Sequence, residues 1–215
     1  MNRLLLACFF AMLAFMVNAQ HNAKGHESEQ SFEEMVKSLE RPDRDWWQKP
    51  EEIMNLIRPL KGRKVMDLGC GTGYFTFKMA DSGAVVIAAD IDSRFLAYVD
   101  STRDARGVSK KHVITRKVPA DNPLLEKREV DIVLIVNTYH HIEDRVNYLR
   151  KVKAGLKQNG YVAIVDFFKK DLPVGPPTET KLTSDDVVRE LKMAGFSNFK
   201  TEDKILPYQY IVFAL

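Results

Sequence analysis

Two short stretches of this sequence carry residue types whose spacing could do chemistry. In the first, "VMDLGCGTGYF", the acid Asp67 sits near the end of an apolar run, and Gly69, Gly71 and Gly73 follow at every second position. Glycine takes backbone conformations closed to other residues and lets a ligand lie directly on the main chain. A tight turn needs one glycine; this density points to a ligand-bearing loop. Dinucleotide sites use G-x-G-x-x-G, with a diphosphate on the helix that follows. Here the pattern is G-x-G-x-G behind an acid, which would repel a diphosphate and can hydrogen-bond an ammonium or an ordered water. The spacing favours a zwitterionic ligand over a dinucleotide.

The second stretch is "VNTYHHIEDR", Val136 to Arg145. A neutral imidazole titrates near working pH, so His140 and His141 are candidate catalytic residues, one of them as a general base. Adjacent side chains tend to diverge, so one histidine is expected to act and the other to support. The alternative is that both only cover the ligand, because in-line alignment of reacting groups can accelerate a transfer without any base.

Elements of regular structure must hold these stretches together. From Arg63 onward apolar runs alternate with helical patterns: strands over Val65–Leu68, Ala84–Ala89, His112–Arg116, Val130–Val136 and Tyr161–Phe167, and helices over Tyr74–Asp81, Ser93–Arg106, Asp144–Leu156 and Ser184–Ala194. This alternation specifies parallel strands with right-handed crossovers, an α/β doubly wound sheet. "VDIVLIV", Val130 to Val136, reads as a central strand covered on both faces. Near the end, "NFKTEDKILPYQYIVFAL" offers two strands joined too tightly for a helical crossover, so they run antiparallel. The sheet is thus mostly parallel and seven-stranded, with an antiparallel C-terminal pair.

In such a sheet ligands bind beyond the carboxyl ends of the strands, where the glycine loop lies. The second strand ends in "VVIAADID". Asp90 is placed to accept hydrogen bonds from a ribose diol, and Ile91 to lie against an adenine face. Asp92 or Ser93 is the better cap for the helix that follows.

"VMDLGCGTGYF" together with "AADID" resembles the class I S-adenosylmethionine-dependent methyltransferases, in the small-molecule group typified by quinone-biosynthesis enzymes. The resemblance runs from Trp46 to Leu215, which it marks as one Rossmann-like methyltransferase domain. It implies S-adenosylmethionine as cofactor, its methionine part on Asp67 and the Gly69–Gly73 backbone, its ribose on Asp90 and its adenine on Ile91. "VPADNPLLEKREVD" resembles the family's adenine-edge loop, with Asp121 taking the adenine amino group. Asn137 matches a position that faces the methionine amino group or the substrate. The family's Asn-Pro-Pro-Tyr motif for amino-group methylation of nucleic acids and proteins lacks both prolines in "NTYH".

The expected activity is methyl transfer to a small-molecule acceptor, with no nucleic acid as partner. The alternatives are a catalytically silent S-adenosylmethionine-binding protein with an interaction role and, third, an NAD-dependent oxidoreductase. Trp46 and Trp47, the segment "DFFKKDLPVGPPTETKL", and Tyr208 and Tyr210 are the candidates for covering the acceptor.

The formal net charge of the 215 residues is +3, too small to imply a nucleic-acid groove. The N-terminus differs from the rest: Arg3, an apolar run from Leu4 to Val17, then Asn18-Ala19-Gln20. This reads as a signal peptide over residues 1–19, cleaved after Ala19, and implies an exported protein with no stable membrane span; an uncleaved anchor is the alternative. Residues 20–45 read as a linker and a short helix. Cys8 leaves with the signal, so Cys70 remains alone and neither a disulfide nor a cysteine metal site can form. Cys70 reads as a small space-filling residue in the loop.

Overall fold

A computed structural model of the chain describes residues 32–215. The chain divides into two compact units, one ending at Arg41 and one running from Pro42 to Leu215. The described part of the first is a helix, α1, over residues 32–39. The expected signal segment lies outside the described residues. No helix among the described residues is long and apolar enough to cross a membrane.

The second unit opens with two short helices, α2 (Arg44–Gln48) and α3 (Pro50–Leu56). Pro50 starts α3 with its fixed φ, and Glu51 and Glu52 lie at the positive end of the helix dipole. The alternation read from the sequence follows: β1 (Lys64–Leu68), α4 (Tyr74–Asp81), β2 (Val85–Asp90), α5 (Ser93–Ala105), β3 (Val113–Lys117), β4 (Val130–Val136), α6 (Arg145–Gly155), β5 (Leu156–Phe167) and α7 (Ser184–Met193). The strands β6 (Lys200–Glu202) and β7 (Gln209–Ala214) complete the sheet. Asp92 caps α5 through the Arg94 N–H, and Asp144 caps α6 through the Asn147 N–H. Thr183 and Asp186 form a reciprocal capping box on α7.

The seven strands lie in the order β3-β2-β1-β4-β5-β7-β6. The first five are parallel, β7 is antiparallel to β5, and β6 is antiparallel to β7. β5 begins at Leu156, earlier than the sequence suggests, because the chain passes Asn159 at φ 65 and keeps Leu156 opposite Val130.

Strand alternation sends Met66, Ile87, Val133 and Ile164 to one face, where Leu149, Val152, Val187 and Leu191 cover them. Val65, Val86, Ile132 and Val165 point to the other, under Ile53, Met54, Phe75 and Met79. The direction of winding reverses between β1 and β4, so the crevice for a ligand opens at their carboxyl ends.

Candidate functional site

The glycine loop is pinned to the end of β2 from two sides. Gly69 and Cys70 both donate their N–H to the Ala89 carbonyl, at 2.8 and 3.1 Å. Asp90 accepts the Gly71 N–H at 3.0 Å with one carboxylate oxygen and the Asp92 N–H at 2.9 Å with the other. Each oxygen keeps a lone pair for a further donor. Gly69 sits at φ +75, and a Cβ there would collide with the Thr138 side chain. Gly73 sits at φ +84 with Phe77 2.9 Å from where its Cβ would be.

Under this loop Asp67 is buried and accepts a 2.6 Å hydrogen bond from Thr76 Oγ1. Burial raises its carboxyl to about 6, against the opposing pull of the Thr76 hydroxyl and of Arg44. Cys70 is free and buried, and burial holds its thiol well above the ordinary range. That suits a space-filling side chain and not a nucleophile. Ile91 stands 60% exposed just after Asp90, a large apolar side chain at the crevice edge. Thr72 Oγ1, within the loop, and Trp47 Nε1, on α2, are buried with no hydrogen-bond partner among the described residues. Unsatisfied buried polar atoms are costly, so each is a place where a bound group would be welcome.

Asn137 follows β4 in the left-handed region, at φ 55. Its amide enters a ring of three. The Asn137 Nδ2 donates to Gln48 Oε1 at 3.3 Å, Gln48 Nε2 donates to Gln209 Oε1 at 2.6 Å, and Gln209 Nε2 donates back to Asn137 Oδ1. Arg44 Nε also donates to Gln48 Oε1, and the guanidinium lies over the Tyr74 ring at 3.9 Å. These bonds tie α2 across the ends of β4 and β7.

The two histidines occupy one short turn over Tyr139–His141. Their rings do not diverge as expected but lie 4.1 Å apart, although their partners differ. His140 is buried and its Nδ1 meets both oxygens of Asp166, at 2.9 and 3.0 Å. His141 is exposed at the residue level, and partial desolvation, then the charge of His140, pushes its imidazole below the usual range. It lines a cavity of about 260 Å³ with Ala120, Asp121, Asn147, Tyr148 and Lys151. Asp121 is exposed there, and its carbonyl accepts Lys151 Nζ at 2.7 Å.

Among the expected covering residues, Trp46 is 67% exposed, with Tyr208 edge-on at 6.0 Å. Trp47 is buried against Phe167 at 5.8 Å. Gly175, in the proline-glycine segment, also packs on Phe167. Tyr210 is corrected: it is an interior residue of β7, its hydroxyl donated to the Leu182 carbonyl. The structure thus gathers Asp67, the glycines, Asp90 and Asn137 around the ends of β1, β2 and β4, and sets Asp121 with His141. Arg44, Gln48, Thr72, Asp166 and Gln209 were not anticipated. Asp166 alone had a legible signal, an acid at the end of the apolar run "AIVDF".

A family described as a methyltransferase domain matches residues 59–207. A tRNA U34 carboxymethyltransferase of Pseudoalteromonas translucida is 30% identical over 121 residues, 56% of this chain and 36% of that protein. A ubiquinone biosynthesis O-methyltransferase of Pelagibacter ubique is 26% identical over 118 residues, 55% of this chain and 48% of that protein. The chain therefore spans between a third and a half of the length of these relatives. Among solved structures, a SAM-dependent methyltransferase from Aquifex aeolicus superposes with a TM-score of 0.77 at 24% identity, over 83% of this chain and 95% of the other. The expected exclusion of nucleic acid, with a small-molecule acceptor in its place, does not survive this comparison. Relatives matched over more than half of the chain are named for a tRNA nucleotide. The exclusion rested on a modest net charge, an average over the chain that says little about a local binding face, and on the missing prolines of "NTYH", which bear only on amino-group methylation.

Proposed function

The chain belongs to the S-adenosylmethionine-dependent methyltransferases, and from that premise we propose that it methylates an oxygen on a nucleobase-like ring carried by RNA. When bound, S-adenosylmethionine supplies a methyl carbon on a sulfonium leaving group. The residues present fit this donor. The free Thr72 hydroxyl offers a polar contact within the glycine loop, and the elevated Asp67 carboxyl is one that a nearby ammonium would stabilise in its charged form. Asp90 retains lone pairs for ribose hydroxyls, and exposed Ile91 offers an apolar surface to adenine. Asp121 serves the adenine amino group from the loop after β3. Asn137, held by Gln48 and Gln209, keeps the end of β4 fixed, so the donor is met by a rigid wall.

The acceptor class rests on one observation, the aromatic pair at the rim. Trp46 exposes most of its indole beside Tyr208, and an exposed flat ring is what stacks an unpaired base. The relatives' names support the same reading, one by its tRNA nucleotide and the other by its oxygen methylation. Trp47 Nε1, buried and free, is a donor suited to an acceptor oxygen once the ring is seated. Alignment of the oxygen with the methyl carbon then lowers the barrier by orientation.

The test is transfer of label from methyl-labelled donor into a total RNA extract, with and without ribonuclease. Label in RNA that ribonuclease converts to labelled nucleotides is expected. Label found only in ribonuclease-insensitive material would contradict the proposal.

A further inference from the structure

Asp166 lies one residue before the end of β5, and its side chain is 2% exposed. A carboxylate so buried is costly unless it is paired and hydrogen-bonded. Its partners are all on hand. His140 Nδ1 meets both oxygens, the His140 backbone N–H donates to Oδ2 at 3.2 Å, and the Phe167 N–H donates to Oδ1 at 2.8 Å. The parallel register that sets Val136 beside Val165 brings the turn after β4 to this point. The carboxylate therefore grips both the ring and the backbone of one histidine.

A carboxylate at Nδ1 holds a proton there, so in the neutral imidazole it is Nε2 that carries the lone pair. Nε2 has no hydrogen-bond partner among the described residues. The charged and titratable groups around the pair are few. His141 stacks on the ring from the same turn. Tyr210 approaches Asp166 from β7, its phenol pushed up by burial and by that carboxylate. Behind Tyr210 stand Asp186 and Glu190 of α7 and Arg145 of α6, with Glu190 held by Arg145 and by the Tyr139 hydroxyl.

We propose that Asp166 is the positioning residue that makes His140 the general base of the transfer, an inference that rests on the oxygen-acceptor reading above. The acceptor O–H proton passes to His140 Nε2 as the oxygen bonds to the methyl carbon. The carbon–sulfur bond breaks with its electron pair retained by sulfur, giving S-adenosylhomocysteine. The imidazolium, stabilised by Asp166, returns its proton to water.

The experiment compares the full chain with Asp166→Asn, His140→Asn and the double variant, using total tRNA as acceptor and calorimetry for donor binding. His140→Asn keeps an amide donor near the position of Nδ1, so it preserves the grip of Asp166 and removes only the base. Each single variant is expected to lose at least ten-fold in kcat with donor affinity within two-fold. The double variant should lose no more than either, as residues acting as a unit do. In Asp166→Asn the pH–rate profile should change shape, because the imidazolium formed in the transfer has lost its hydrogen-bonded counter-charge. Nitrogen-15 NMR of the His140 ring should show an unprotonated Nε2 and a hydrogen-bonded Nδ1–H in the parent chain. Unchanged kcat and pH profile in Asp166→Asn, unchanged kcat in His140→Asn, or a proton on Nε2 would each overturn the proposal. Should tRNA take no label, the acceptor reading falls by itself. The NMR result then tests the grip of Asp166 on His140 by itself, and an Nε2–H tautomer overturns it.

Discussion

At the scale of single residues, the electrostatics of Asp67 make a directional claim. Burial favours its neutral form, so its carboxyl is raised to about 6 from 3.8. The folded chain without donor is thus relieved of a penalty as pH falls through about 6 toward 3.8, a gain absent above that window. Donor binding has the opposite sign, since a cation beside Asp67 needs the carboxylate. Donor affinity should therefore weaken as pH drops below about 6, by at most about ten-fold per pH unit. Calorimetry at pH 5, 6 and 7 checks this, and Asp67→Asn should bind weakly with no such slope. Trp46→Ala should raise KM for RNA several-fold and leave donor affinity unchanged, if stacking seats the base. Asp67 and Asp90 were legible in the sequence because an acid at the end of an apolar strand has little reason to be there but function. Asp166 carries the same signal and was passed over. Gln48 and Gln209 were not legible, since their amide pairing spans the chain and glutamine is ordinary in a helix or a strand.

At the scale of elements, the loop after β1 and the turn after β4 form one packed unit. Gly69→Ala forces a left-handed backbone on alanine and drives its Cβ into Thr138. The backbone strain alone should cost about 1–2 kcal/mol. Chemical denaturation should show a larger loss that Thr138→Ala partly restores. Glu129, just before β4, receives Arg116 of β3 at 2.7 Å and Lys64 of β1 at 2.9 Å, and these hold its carboxyl down at about 2. A depressed carboxylate stabilises above its unfolded value, so this contribution is whole above pH 4.5 and fades as pH falls toward 2. Glu129→Gln should cost about 2 kcal/mol at pH 7 and little near pH 2. Many of the elements were readable because β2, β4 and β7 are largely apolar runs and α5, α6 and α7 carry Asp92, Asp144 and Thr183 as caps. The early start of β5 was not, because "LKQNG" is polar and its pairing with Val130 is a tertiary matter. The side-by-side histidines escaped for a similar reason, since a tight turn decides where consecutive side chains go.

At the scale of the molecule, the fold commits the chain to one crevice, at the reversal of winding between β1 and β4. A donor bound there stabilises the folded state by mass action. At a hundred-fold excess over Kd the gain is about 2.7 kcal/mol, which for a chain of this size raises Tm by roughly 5–10 °C. S-adenosylhomocysteine should produce that shift and NAD should not, since the Asp67 carboxylate beneath the glycine loop would repel a diphosphate laid on it. Composition was a poor guide at this scale, because net charge averages over surfaces that act locally. The most direct measurement is a crystal structure of the chain with S-adenosylhomocysteine. The expected result is adenine on Ile91, ribose hydroxyls on Asp90 and the amino acid end over Gly69–Gly73, with the sulfur facing the turn that carries His140. A nucleoside in any other cleft, or a ribose turned away from Asp90, would contradict the account.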